Sequence, residues 1–403
     1  MLNYRHLAEQ HVKRSFPRRA EHLGSLLRPA EFLDTLKKEQ NPKIREQVEN
    51  REIETIVKDQ LNLGFRVVND GEYRRTLFWG SFFESLSGFE EVPMVESALR
   101  TYSPKVTALL EYHIPTTLIC TSKIEHKGDS PHLREFLYLK SIVPADRIGD
   151  IKITIPPPHW YHLRYKHGQA YLDGVYASEE EYFQDLAAAY RKELQILYDA
   201  GLRRVQFDDP DLSYFCSSNV IEAWGLDTTN KQSTTELLTS YIELYNDCLK
   251  DVNADMHIGI HVCRGNFTDS RYWSAGGYDA IASQLFRDLN VHTYYLEFDT
   301  PRAGGFEPLQ ALPLNKNVVL GVISTKSSQL EDIGELRERV FQAAEFIAKG
   351  NNISLEQSLQ RLGVSPQCGF ASNSHENRLT KHNMLDKLNL VRELANSIWP
   401  GEA

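Results

Sequence analysis

An imidazole and a thiol stand two residues apart in His261-Val-Cys263, inside the apolar run Ile258-Gly-Ile-His-Val-Cys263. On a strand, residues i and i+2 point to the same face, so both side chains converge on one point; histidine nitrogen and cysteine sulfur together suit zinc. Two ligands do not make a site, because zinc takes four donors, or three and an open position. Glu297, closing Tyr294-Tyr-Leu-Glu297, and Cys368, closing Val364-Ser-Pro-Gln-Cys368, offer the remaining donors. The competing reading is packing, since cysteine is among the most buried residue types and an isolated His-x-Cys arises by chance. Cys120, Cys216 and Cys248 read as packing residues of that kind.

Carboxylates form the second group. Asp70-Gly-Glu72 and Asp208-Asp-Pro210 each end an apolar run. There a carboxylate can receive a substrate ammonium or act as acid or base; it can equally cap the next helix or pair with Arg74, Arg75 or Arg203. The functional reading is preferred for Glu72 and Asp208, the structural one for Asp209 and Asp211. In Pro156-Pro-Pro-His-Trp-Tyr-His162, Trp160 either stacks on a flat ligand or packs beneath a loop.

These residues need elements that bring them together. Short β-branched or aromatic runs end in polar or small residues eight times, at Ser25, Glu72, Pro156, Pro210, Cys263, Asp299, Ser324 and Cys368. Helical patterns separate them. Glu179 to Ala200 stops at Gly201, and Ser233 to Val252 opens with a capping box of Ser233 and Glu236. Further helices are predicted at 277–290, 335–349 and 380–398. Strands alternating with helices imply an α/β fold with a mainly parallel sheet, and eight such units imply closure as a single (β/α)8 barrel. That barrel is expected over 19–403, with residues 1–18 as a basic lead-in and 85–148 as an inserted segment covering one end. In such a barrel the active site lies at the C-terminal ends of the strands, where Ser25, Glu72, Thr154, Asp208, His261, Cys263, Glu297, Lys326 and Cys368 all fall.

Composition narrows the function. The chain has 403 residues, 45 basic against 55 acidic, a net charge of −10, which argues against a broad nucleic-acid or anionic-membrane surface. No apolar run is long enough for a membrane span or a signal peptide, and five scattered cysteines suit a reducing compartment, so a cytoplasmic location is expected. Oligomeric state is not readable from the sequence.

The chain resembles the cobalamin-independent methionine synthase family, specifically its catalytic barrel and the short single-barrel members. The likeness rests on Glu21-His-Leu-Gly-Ser-Leu-Leu-Arg-Pro29, Asp70-Gly-Glu-Tyr-Arg74, Gln206-Phe-Asp-Asp-Pro210, His261-Val-Cys263, Glu297 and Cys368-Gly369. It implies one zinc ion on His261, Cys263, Glu297 and Cys368, and an amino-acid thiol gripped by Ser25, Glu72 and Asp208. It also implies an S-methyltransferase of the 5-methyltetrahydropteroyltriglutamate–homocysteine type. The family places a histidine after the seventh strand to protonate the departing folate; here Ser324-Thr-Lys326 has none, which leaves Lys326 as the candidate acid. The thiol half of the chemistry is thus better matched than a folate donor. The expected function is zinc-dependent transfer of an alkyl group, methyl first, involving a small thiol, homocysteine first, with Trp160 and the 85–148 segment on the donor side. The alternatives are a thiol transferase acting on a non-folate electrophile, such as epoxide opening by a sulfonate thiol held by Lys326 or Arg264; a zinc hydrolase; and a vestigial, non-catalytic barrel.

Overall fold

The computed structural model describes residues 18–95, 98–100, 116–266, 272–372 and 378–402. The lead-in before Arg18 lies outside them. Six strands make one parallel sheet in sequential order: β3 (Lys152–Ile155), β4 (Arg204–Asp208), β5 (His257–Val262), β6 (Thr293–Glu297), β7 (Asn317–Ile323) and β8 (Leu362–Pro366). Every residue of these strands is buried. That explains their unbroken apolar runs, since a parallel strand is covered on both faces.

The first two expected strands are shorter than the sequence suggests. They are reduced to single parallel bridges, Ala20 on Val364 and Val68 on Ile151. Glu21 N donates to Val364 O at 3.0 Å, and Lys152 N to Val68 O at 3.0 Å, so these segments still occupy the barrel positions beside β8 and β3. Leu26 N donates to Gly71 O at 3.0 Å, which brings the two segments together and completes the round of eight in a (β/α)8 barrel. In the second segment polar residues explain the loss of ladder: Asn69, Asp70 and Glu72 take up backbone and side-chain bonds that a strand would use itself.

Inside the barrel, Leu23, Tyr295 and Val319 pack together. Beside them Glu21 accepts from Lys152 Nζ and from the Tyr295 hydroxyl, both at 2.9 Å. The larger apolar core lies between the strands and the outer helices. Glu179–Ala200 is capped by Ser178 and ends at Gly201, φ 110°. Thr234–Cys248 has the expected capping box but stops four residues short of Val252. The helices predicted at 335–349 and 380–398 are Ile333–Asn351 and Lys381–Ile398, whereas 277–290 yields only Ala282–Asp288 after a short 3-10 turn.

The expected insertion divides in two. Residues 86–126 carry an antiparallel ribbon, β1 (Leu86–Pro93) on β2 (Thr116–His126). After it, the helix Pro131–Ile142 leads into β3 as an ordinary barrel crossover. The ribbon is fastened to the helix Glu179–Ala200 by Glu193. That fully buried carboxylate accepts from His126 Nε2 at 2.8 Å, His132 Nδ1 at 2.7 Å and Ser130 Oγ at 2.7 Å. Among the described residues no helix is long and apolar enough to cross a membrane.

Candidate active site

Strand ends β5 and β8 deliver the sharpest cluster. His261, Cys263 and Cys368 are all buried, and one ligand atom from each lies within 4.8 Å of the others. The strand period puts His261 and Cys263 on one face; the barrel's curvature brings Cys368 across to them. His261 Nδ1 donates to Tyr295 O at 3.3 Å, which leaves Nε2 as the free ring nitrogen, buried and, apart from the Cys263 sulfur, without a partner. Cys368 Sγ donates to Cys263 Sγ at 3.7 Å. That bond and the nearby His261 hold the Cys263 thiol well below its usual range, while the same contact and burial push Cys368 up. Burial alone would lower His261, but Cys263, Asp208 and Glu297 overcome it and raise its pKa to about 9. An imidazolium, a thiolate and a thiol can exchange two protons for one divalent cation with no change in net charge. An orphaned imidazole nitrogen facing two sulfurs therefore fits zinc.

Glu297 stands apart from this trio. Its Oε2 accepts from Arg264 N at 2.7 Å and its Oε1 from Arg302 at 2.6 Å. Burial would raise its pKa, but Lys326, Arg264 and Arg302 together hold it down. The carboxylate thus braces the backbone directly after Cys263, and each of its oxygens, holding one hydrogen bond, keeps a lone pair for an ion.

The two preferred carboxylates lie on the adjoining side. Asp208 is the register partner of His261 across β4 and β5. Burial pushes its pKa to about 7, with His261 opposing and Glu72 reinforcing. Glu72 is buried, with φ 60°; its Oε1 accepts from Thr154 Oγ1 at 2.6 Å, and its Oε2 has no partner. Burial raises the Glu72 pKa against the pull of Arg75. Gly24, at φ 118°, borders both. A Cβ there would lie 2.7 Å from Glu72 Oε1 and 3.6 Å from Asp208 Oδ2, so glycine keeps space open between the carboxylates. Ser25 follows, buried, its Oγ accepting from Ala371 N at 3.3 Å; a Cβ on Gly369 would come within 2.1 Å of that oxygen. The Gly-Ser turn therefore touches the Cys368-Gly369 turn, and Ser25, Glu72, Asp208 and the sulfur cluster share one end of the barrel.

Other expectations change. Trp160 is only 2% exposed, with Trp79 at 4.6 Å between ring centroids and the Arg164 guanidinium 3.7 Å over its ring. Its faces are covered, so it packs and does not offer a stacking surface; Trp79, half-buried, is the more accessible indole. Arg264 is fully buried, its guanidinium bonded to the carbonyls of Gly276, Ala303 and Glu297 and so unavailable to a substrate anion. Lys326 is half-buried and donates to Gly265 O at 3.2 Å, near the β5 loop. Asp209 caps Leu212 N and accepts from the Tyr245 hydroxyl, the structural role expected. The sequence reading missed Gly24 as a spacer and Arg75 as an organiser. The first was signalled by its place before Ser25, the second by its spacing of three from Glu72.

Residues 176–393 match the model of the cobalamin-independent synthase catalytic domain. The chain belongs to this family. It is 34% identical to the uncharacterized protein YxjH of Bacillus subtilis, over 96% of both chains. It is 25% identical to a methionine synthase of Saccharolobus islandicus, over 92% of this chain and 94% of that one. Among solved structures it is similar to the putative vitamin-B12 independent methionine synthase of Listeria monocytogenes, with 30% identity, a TM-score of 0.69 and coverage of 95% and 98%. A B12-independent methionine synthase of a Shewanella species shares the barrel fold at 17% identity, with a TM-score of 0.65 and coverage of 94% and 97%. As a cobalamin-independent synthase family member, the chain carries a fold and a strand-end site suited to methyl transfer.

Proposed function

We propose that this chain is a zinc-dependent S-methyltransferase acting on a small amino-acid thiol, homocysteine first. The observation that carries the reading is the orphaned His261 Nε2 set against Cys263 and Cys368. These three residues would hold the ion, with Glu297 as the fourth donor. Zinc, when bound, lowers the pKa of a coordinated thiol from about 8.5, so that it is deprotonated at neutral pH. The chain's own residues then do the positioning. The Glu72 and Asp208 carboxylates, spaced by Gly24, receive the substrate ammonium, and Ser25 fixes the amino-acid end. Holding nucleophile and donor at reacting distance removes much of the entropic barrier. As the sulfur–carbon bond forms, the donor's bond to the methyl carbon breaks, its electron pair leaves with the donor, and Lys326 supplies the proton. A folate is one donor that fits this scheme.

Two carboxylates around an open space favour an ammonium over a sulfonate, which sets homocysteine ahead of a sulfonate thiol. The test is zinc content by elemental analysis of the wild type and Cys368→Ala side by side. About one zinc per chain is expected, sharply reduced in the variant. Equal zinc in both would remove Cys368 from the site, and none in either would remove thiol activation.

A further inference from the structure

Glu72 owes its free oxygen to a residue far away in sequence. Arg75, three residues on, spends its guanidinium elsewhere: Nε and Nη2 donate to Glu135 at 2.9 and 2.5 Å, Nη1 to Thr154 Oγ1 at 3.0 Å, and Nη2 to Thr154 O at 2.8 Å. Its nearest approach to Glu72 is 3.8 Å, close enough for attraction and too far for a hydrogen bond. Thr154 bonds Arg75 with one face of its hydroxyl and donates the proton to Glu72 Oε1, which leaves Oε2 unpartnered. The side chains of Arg75, Glu72 and Glu135 are at most 4% exposed, so water does not soften this balance. Arg28, the other buried guanidinium here, donates to the Glu72 and Arg75 carbonyl oxygens, so neither guanidinium bonds the Glu72 carboxylate, which stays available to a substrate ammonium.

We propose that Glu135, on the helix Pro131–Ile142, is a positioning residue that holds Arg75 off Glu72 and so keeps Glu72 available to an amino-acid thiol. The proposal rests on the reading of Glu72 as the ammonium receptor. Without Glu135, the buried guanidinium loses its bidentate partner. An uncompensated buried charge takes the nearest carboxylate, here Glu72. The substrate ammonium then meets a neutralised pair, while the thiol and carboxylate of the substrate are received as before.

The test titrates zinc-loaded chain calorimetrically with homocysteine and with 4-sulfanylbutanoate, which keeps the thiol and carboxylate but has no ammonium. Wild type is expected to prefer homocysteine. Glu135→Gln, isosteric and uncharged, is expected to cut that preference about 10-fold, with zinc content and 4-sulfanylbutanoate binding unchanged. A purely structural role would weaken both thiols alike, and an undiminished preference in folded Glu135→Gln overturns the proposal. A wild type without preference overturns instead the ammonium reading of Glu72.

Discussion

Two regions of this barrel bury the same kinds of side chain and treat them oppositely. Where the ribbon is fastened to the helix Glu179–Ala200, both oxygens of Glu193 are bonded, His126 Nδ1 also accepts from Gly128 N, and only the far ring nitrogen of His132 lacks a partner. At the strand ends, His261 Nε2 and Glu72 Oε2 are buried without an oxygen or nitrogen partner. A buried unsatisfied polar group costs about 1–3 kcal/mol. The fastening contributes stability through its satisfied bonds, whereas His261 Nε2, beside two sulfurs, and Glu72 Oε2, beside the space that Gly24 keeps, are placed to receive something that binds.

That contrast can be broken by experiment. The largest effect is expected at the receptor, from Cys263→Ser. Loss of a direct ligand should exceed the 10–100-fold effects seen for outer partners of a metal, so methyl transfer should fall more than about 100-fold while the melting temperature of the metal-free chain hardly moves. Parallel rate and thermal-melt measurements check this, and a large fall in melting temperature with activity retained would reverse the assignment.

At the fastening the order inverts. Burial would raise the Glu193 carboxyl, but His126, His132 and Ser130 outweigh it and hold its pKa at about 2. A carboxyl depressed in the folded state stabilises above its unfolded pKa near 4.5 and loses that contribution as pH falls through about 2. Glu193→Gln should therefore cost about 3 kcal/mol at neutral pH, and the gap to wild type should close between about pH 4.5 and 2. Denaturant titrations across that range read both, with thiol affinity unaffected.

Next in size is Lys326→Ala. Loss of a general acid commonly lowers turnover about 100-fold, here with zinc content unchanged. Equal turnover in rapid-quench assays would show that Lys326 only supports the Gly265 carbonyl.

The smallest effect expected is that of Glu72→Gln. It should weaken homocysteine about 10-fold through loss of one charge-assisted bond, while leaving thermal stability equal or higher because a buried charge is removed. Calorimetry with a melting curve on the same sample decides.

Much of this architecture was legible in the sequence. Apolar runs without alternation marked strands covered on both faces, and they appear at β3 through β8. Gly201 and the Ser233–Glu236 pair announced helix ends that hydrogen bonds confirm. The early segments misled because Asn69, Asp70 and Glu72 bond locally, a competition that periodicity does not register. Trp160 was left between two readings because an aromatic residue near a site and one packed beneath it look alike until the neighbours are in place.

By itself, the sequence determined the alternation of strands and helices and the donor types at the strand ends, because period and capping are local properties of the chain. It also carried the family signature. Only the tertiary structure decided which donors meet. His261 and Cys263 converge by strand geometry, but Cys368 reaches them through closure of the barrel, and Glu297 is held beside Cys263 by Arg302 and Arg264 N. Glu135 joins the site across 60 residues through Arg75, a link that depends on how a crossover helix packs and leaves no trace in local spacing.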